Sequence, residues 1–394
     1  MARKMKDSGI EWIGEIPEGW EVVPVKRLCT MQAGKNLTSE QIAPEGTYPV
    51  YGGNGIRGFF SDYNCDGQFL TVGRQGALCG NVHKINGKVW ATEHAVITTP
   101  SSYTILDFLY YLLIGMDLNQ YVSSTAAQPG LAVGTLLNLK TCYPCSTLEQ
   151  TQISNYLNAK CSEIDVMLTK TRSSIEEYKK LKQAVITQAV TTLNCPNVKL
   201  KYLMDIIVDC PHETPIYTFT GNYLVIRTSD QSLASLRCDE YMYRLDEAEY
   251  KKRTRRLTLD KDDIVYGREG SWGLACLVPQ SNKYCLGQRV MQFRCNTRLL
   301  YPKYAMYALN SETVYMQGAL DTIGSTAPHV NISTICNYLL PVPALTEQKE
   351  VADYLDAKCA EIDGLIAKKE QLVKELESYK KSLIYEVVTG KRET

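Results

Sequence analysis

The chain has 394 residues, enough for two or three domains with cores of their own. Lys plus Arg and Asp plus Glu both number 43, so bulk charge excludes a generally basic nucleic-acid binder, and any such contact must come from local patches. No stretch approaches the roughly 18 apolar residues of a membrane span, and the opening Met1-Ala-Arg-Lys-Met-Lys-Asp7 is charged where a secretory leader would be apolar, which predicts a cytoplasmic protein.

Residues 1 to about 30 hold Trp12, Trp20, several turn residues and a strand-like Val22-Val23-Pro24-Val25. From about 34 to 147 the chain is rich in Gly and Tyr, with short apolar runs such as Gln68-Phe-Leu-Thr-Val72. That composition predicts short strands and turns, interrupted by one apolar helix around Ile105–Met116. Gly53-Asn54-Gly55-Ile56-Arg57-Gly58 matches the dinucleotide fingerprint, but the fingerprint needs a helix N-terminus behind it. Phe59-Phe-Ser-Asp-Tyr-Asn64 instead has the composition of turn and strand, so the expectation is a tight turn presenting Asn54 and Arg57. Cys142-Tyr-Pro-Cys145 is the one Cys-x-x-Cys, and nothing near it completes a zinc site. The fourteen cysteines read as reduced thiols used as small apolar side chains.

From Thr147 the texture changes: Gly and Pro vanish until Pro196. Thr147 is the expected N-cap of a helix with Glu149 and Gln150 in its first turn. Leu157, Ile164, Leu168, Ile175, Tyr178 and Val185 then form one apolar seam. Within it, Tyr156-Leu-Asn-Ala-Lys-Cys-Ser-Glu-Ile-Asp165 returns 198 residues later as Tyr354-Leu-Asp-Ala-Lys-Cys-Ala-Glu-Ile-Asp363, two of ten positions changed. The same shift carries the seam onto Leu355, Ile362, Ile366, Val373, Leu376 and Leu383, all apolar. Each helix would be roughly 60 Å long, and a lone helix with one seam needs a partner in water. The expected partner is the other copy, in an antiparallel pair. The Lys, Glu and Asp of the repeated stretch fall on the flanks of the seam and are expected to face solvent or a partner subunit.

The block from about 195 to 344 again mixes short strands, Gly turns and one helix-like run, Lys303–Leu309, without being an obvious copy of the first. Marks recur nonetheless. Gly267-Arg268-Glu-Gly270 answers Gly73-Arg74-Gln-Gly76, Ala327-Pro-His-Val330 answers Gln128-Pro-Gly-Leu131, and both helices open with Glu-Gln. The densest basic run is Lys251-Lys252-Arg253-Thr-Arg255-Arg256, preceded by Tyr241, Tyr243 and Tyr250. His83, His94, His212 and His329 are too dispersed for a metal site or a triad.

At these residues the chain resembles the specificity subunits of type I restriction–modification systems. The resemblance rests on Lys6-Asp-Ser-Gly-Ile-Glu-Trp-Ile-Gly-Glu-Ile-Pro-Glu-Gly-Trp20, Tyr48-Pro-Val-Tyr-Gly-Gly-Asn-Gly-Ile-Arg-Gly58 and the repeated Tyr-Leu-x-Ala-Lys element. Gly324-Ser-Thr-Ala-Pro-His-Val-Asn-Ile332 and Leu383-Ile-Tyr-Glu-Val-Val-Thr-Gly-Lys391 extend it across the chain. It implies an α+β fold with two target-recognition domains separated by a pair of long antiparallel coiled-coil helices, a pseudo-twofold internal repeat. The corresponding segments are 1–147, 148–193, 194–344 and 345–394. It implies double-stranded DNA with a bipartite site as ligand, and no chemistry in this subunit. Two modification (methyltransferase) subunits using S-adenosylmethionine would methylate adenine, and two restriction subunits would cleave with ATP and Mg. The sequence agrees, since it carries neither an Asn-Pro-Pro-Tyr motif nor a phosphate-binding loop.

On this reading Asn54, Arg57, Arg74, Arg268, Lys251, Lys252, Arg253, Arg255, Arg256 and His329 are candidate DNA contacts. An arginine between glycines can take a phosphate, or guanine O6 and N7, and the bland alternative is a β-turn whose arginine pairs with a neighbouring acid. A charge run is ordinarily a solvated face. Lys160 and Lys358 are the candidate docking residues for the modification subunits. Two other functions compete: a self-contained DNA-cleaving or DNA-modifying enzyme, and a coiled-coil scaffold without DNA contact.

Overall fold

The computed structural model describes residues 3–76, 79–122, 130–237, 239–270, 272–322 and 329–394. Among them are eight α-helices: α1 (Leu106–Gly115), α2 (Val133–Asn138), α3 (Thr147–Thr191), α4 (Glu247–Arg253), α5 (Pro302–Leu309), α6 (Glu312–Ala319), α7 (Ile332–Cys336) and α8 (Leu345–Val388). The chain divides into two compact units, 1–171 with 371–394 and 172–370. Compactness therefore cuts across the long helices, where the sequence reading drew its boundaries at their ends.

In the first unit four antiparallel strands lie in the order Cys29–Ala33, Ala95–Pro100, Gln68–Gly73, Val82–Asn86. Leu70 and Val72 face the main core, while Phe69 packs on the other side with Ile85 and Val89, as the two-residue period of a strand requires. A second sheet orders Gly55–Phe60, Tyr48–Gly52 and Trp90–Ala91, the last pair parallel. Trp20–Pro24 pairs with Lys140–Pro144. Helix α1 is apolar nearly all round and buries Phe108, Leu109, Leu112 and Leu113, each contributing roughly 1.5–3 kcal/mol. Gly115 lets it approach α8, since a Cβ there would meet Val388 Cγ2 at 2.7 Å.

The second unit repeats this plan. Its four-stranded sheet runs Met204–Asp209, Val290–Cys295, Ile264–Gly267, Ala275–Leu277, so first, last, second and third strands again stand in that order. Its three-stranded sheet orders Arg244–Leu245, Tyr223–Ile226 and Tyr284–Leu286, with the last pair again parallel. Asn197–Lys199 pairs with Leu339–Pro341 as Trp20–Pro24 does with Lys140–Pro144. The blocks are thus copies in topology although not obviously in sequence. They differ in what fills the gap between equivalent strands. The first has only the strand Gly55–Phe60 there; the second has the hairpin Gln231–Leu236, the strand Arg244–Leu245 and α4.

Helix α3 begins at Thr147, so the flanking position belongs to Ser146, whose Oγ accepts from the Glu149 N–H at 3.4 Å, and not to Thr147 as the sequence suggested. The Glu-Gln openings have a structural cause. Gln150 is fully buried: its Oε1 accepts from the Ile105 N–H (2.8 Å), and its Nε2 donates to the carbonyls of Tyr103 (3.2 Å) and Pro144 (3.0 Å). Gln348 repeats the pattern with the Tyr301 N–H (2.8 Å) and the carbonyls of Leu299 (3.0 Å) and Pro343 (2.9 Å). Each glutamine ties the start of a long helix to the start of α1 or α5.

Along the seam Leu157, Ile164, Leu168, Ile175, Leu355, Ile362 and Leu383 are buried. Tyr178, Val185, Ile366, Val373 and Leu376 are half-buried. Near the C-terminal end of α3 the burial shifts to Ile186 and Val190, because a straight helix of 3.6 residues per turn drifts off a strict seven-residue repeat. Within the first unit Lys380 pairs with Asp165 at 2.7 Å, and within the second Lys182 pairs with Asp363 at 2.7 Å. These acids face solvent, as expected, being about half exposed, and each in addition pairs across the helices in an antiparallel register. Lys160–Glu163 (2.9 Å) and Lys358–Glu361 (3.0 Å) do lie on the exposed face, each lysine held protonated by its glutamate.

One change between the two copies is explained directly. In the first unit Asn158 Nδ2 donates to Asp107, which pairs with Lys84, while in the second Asp356 pairs with Lys303. In both, a tyrosine hydroxyl, Tyr111 or Tyr307, donates to that position at 2.9 and 2.8 Å. The cysteines among the described residues are all free thiols, and burial pushes Cys142 up to about 12.

Candidate nucleic-acid interface

In the first unit the Gly53–Gly58 segment turns a hairpin, with Gly55 at φ 91° in the left-handed region that favours glycine. A strand follows, not a helix, so the dinucleotide reading has no structural support. A Cβ on Gly73 would lie 1.8 Å from the Gly53 carbonyl oxygen, so this turn and the Gly73-Arg74-Gln75-Gly76 loop touch backbone to backbone. Asn81 Nδ2 donates to Asn54 Oδ1, and the His83 ring lies against Gly55. Burial lowers the His83 pKa, which favours the neutral imidazole.

The other mark found in the sequence arrives at the same place. The Leu131 N–H donates to the Arg74 carbonyl at 2.8 Å, and Gln75 pairs with Gly130; Gln128 and Pro129 lie outside the described residues. Asn54 and Arg57 are exposed. Arg74 is half-buried, with its Nε enclosed and lacking a hydrogen-bond partner among the described residues.

The second unit builds the same loop contact: the Val330 N–H donates to the Arg268 carbonyl (3.0 Å), and Glu269 pairs with His329. His329 is exposed, and Gly324–Pro328 of its motif lie outside the described residues. Here, however, the arginine takes the bland alternative. Arg268 is buried, forks onto Asp209 (3.1 and 3.2 Å) and reaches Glu269 Oε1 at 3.0 Å. Sheet register explains the split. Asp209 stands opposite Met291, whereas the equivalent Ala33 stands opposite Val96 and offers no carboxylate to Arg74.

The basic run is also divided by its neighbours. Lys251 pairs with Glu247 (2.6 Å) and Lys252 with Glu213 (2.9 Å), and those carboxylates raise both lysine pKa values. Arg253 is buried and donates to the carbonyls of Leu286, Gly287 and Glu213, so it braces the fold. Arg255 and Arg256 are exposed.

Two further features stand out, and of their residues only Tyr243 was marked in the sequence. Tyr217 stacks on Tyr243 at 4.4 Å while the Arg227 guanidinium covers the Tyr243 ring at 3.9 Å, and Phe219, two residues after Tyr217 in sequence, is fully exposed. Arg289 sits next to the Arg268 loop with its side chain 62% exposed. Both depend on pairings across the sheet and could not be read from composition. Among the described residues no group of three or more His, Cys, Asp or Glu side chains is placed to hold a metal, and no helix is long and apolar enough to cross a membrane.

The comparisons with known proteins bear on this arrangement. A 121-residue stretch is 44% identical to the type I restriction enzyme EcoprrI specificity subunit of Escherichia coli, covering 30% of each chain. A 130-residue stretch is 26% identical to the EcoBI specificity subunit of the same organism, covering 33% of this chain and 27% of that one. The matched stretch thus spans less than a third of the length of either relative. A solved structure described as the structural basis of complex assembly and conformational transition of the type I R-M system shares the fold, with a TM-score of 0.69 at 14% identity, over 96% of this chain and 99% of that one. The family model for the type I restriction modification DNA specificity domain matches twice, over residues 17–177 and 209–375, once for each copy of the internal repeat. The chain therefore belongs to the type I restriction modification DNA specificity domain family.

Proposed function

We propose that this chain is the DNA-binding specificity subunit of a type I restriction–modification complex. Each globular block reads one half of a bipartite site, and the long helices set the spacer between the halves. The observation that carries this reading is the contrast between what the two copies keep and what they change. Sheet order, the parallel strand pair, the helix-opening glutamines and the loop contacts at Arg74 and Arg268 are kept. The inserts after Tyr48–Gly52 and Tyr223–Ile226 are not. A shared frame with unlike inserts suits two different half-sites, because phosphate positioning can be shared while base readout cannot.

On this proposal the subunit performs no chemistry and acts in the cytoplasm. Two modification subunits bring S-adenosylmethionine and methylate adenine, and two restriction subunits bring ATP-dependent cleavage. Lys160 and Lys358, equivalent and exposed with their glutamates, are the proposed docking points for the modification subunits. Among the candidate DNA contacts Arg74 is favoured, since its guanidinium lacks the acidic partners that occupy Arg268. A buried donor left unsatisfied is ready for an acceptor.

Arg74→Ala in the assembled complex is expected to weaken binding to target duplex by about tenfold, within the range of a bidentate arginine contact. If the contact is to phosphate, the slope of log affinity against log salt becomes shallower by about one. Binding titrations at several salt concentrations read both quantities, and an Arg74→Ala complex with wild-type affinity at every salt concentration would remove Arg74 from the interface.

A further inference from the structure

We infer that Arg289, and not Arg268, is the arginine presented to DNA at the Gly-Arg-x-Gly loop of the second unit, with the chain Asp209–Arg268–Glu269 acting as the brace that sets it. The inference rests on the DNA-binding reading above. It starts from the loop contact common to both units. The Arg74 N–H donates to the His94 carbonyl at 3.0 Å, and the Arg268 N–H donates to the Arg289 carbonyl at 3.0 Å. Arg289 and His94 therefore occupy equivalent positions, each immediately before a strand of the four-stranded sheet, Val290–Cys295 or Ala95–Pro100. Each unit thus joins the residue at this position, His94 or Arg289, through its backbone carbonyl to the Gly-Arg-x-Gly loop. In the first unit the Nε of the loop's own arginine has no hydrogen-bond partner among the described residues; in the second the arginine is buried against Asp209 and Glu269.

Arg289 is placed differently. Its side chain is 62% exposed, and its guanidinium lies over Gly270, where an added Cβ would be 3.8 Å from Nη1. Among the described residues the carboxylate paired with it is Glu269, whose Oε2 is 3.9 Å from Nε, while the other oxygen of Glu269 already holds Arg268 at 3.0 Å. The backbone of Arg289 has φ 68°, a left-handed conformation that a residue with a Cβ adopts at a cost and that glycine adopts freely. Stability alone would favour glycine there, so the arginine side chain is retained against local preference. An exposed planar guanidinium steered by a single loose carboxylate suits a pair of acceptor oxygens or nitrogens. On DNA that pair is either the O6 and N7 of a guanine or two oxygens of a phosphate.

Arg289→Gly removes the side chain and relaxes the backbone, so its unfolding midpoint is expected to equal or exceed that of the wild type. The variant is assembled with its modification subunits, the methylated motif is mapped, and binding to a duplex carrying the wild-type motif is titrated against salt. The expected result is a loss of affinity of about tenfold, within the roughly 5- to 150-fold range of a bidentate arginine contact. With a guanine contact, one position in one half of the motif relaxes. With a phosphate contact, the motif stays the same and the salt slope becomes shallower by about one. Wild-type affinity, motif and slope in Arg289→Gly would overturn the inference, as would a binding loss accompanied by a lower unfolding midpoint, which would make Arg289 a structural residue. A wild-type complex that neither binds nor methylates DNA would instead overturn the reading on which the inference stands.

Discussion

Gln150→Leu is expected to destabilise the first unit by about 3 kcal/mol, and Gln348→Leu to do the same to the second. Each side chain is fully buried and satisfies one backbone N–H and two backbone carbonyls. Leucine has nearly the same volume but leaves all three groups without a partner. Each orphaned buried group costs about 1–3 kcal/mol, and partial relaxation toward solvent brings the set to about 3. The effect belongs to a joint, since the glutamine fastens the first turn of α3 to the turn before α1, and that of α8 to the turn before α5. Urea unfolding checks it: the midpoint falls while the slope stays the same. A loss below about 0.5 kcal/mol, the range of an ordinary surface change, would show that the three contacts do not hold the joint.

The second large effect concerns the target. Seven residues inserted between Thr171 and Arg172, with seven more between Glu370 and Gln371, should leave both halves of the recognised motif intact and lengthen only the spacer. Asp165–Lys380 lies wholly in the first unit and Lys182–Asp363 wholly in the second, so paired insertions disturb neither. Seven residues add about 10.5 Å of helix and rotate it only about 20° from a whole number of turns. At about 3.4 Å per base pair the spacer should grow by about three base pairs. Insertion into α3 alone leaves the two helices unequal and is expected to impair assembly. A complex with both insertions and the original spacer would refute a spacing role for the helices.

The helices were legible because their seam repeats over forty residues and returns at a constant offset, which few other folds can produce. The glutamines were visible as a repeated Glu-Gln, but their task was not, because Tyr103, Ile105 and Pro144 reach Gln150 only through folding. Arg74 and Arg268 looked alike for a similar reason. Two residues separate them: Glu269 in place of Gln75, visible inside the motif, and Asp209 in place of Ala33, which lies far from the loop in sequence and is brought beside it by sheet register. In the basic run the Glu247–Lys251 pair could be anticipated from its one-turn spacing. Glu213 beside Lys252 and the carbonyls that bury Arg253 could not. The repeated sheet order left only the paired loop motifs at Arg74 and Arg268 and at Leu131 and Val330 as marks in the sequence, since many apolar residues satisfy the same strand positions and the turns differ.

The central claim, two unlike recognition blocks spaced by paired helices, is tested most directly by mapping methylated adenine across the genome of cells that express this chain with its cognate modification subunit. Cells expressing the modification subunit alone provide the baseline. The account predicts one new bipartite motif, two different short halves separated by a fixed run of unspecified bases. No new motif, or a single undivided one, would contradict it.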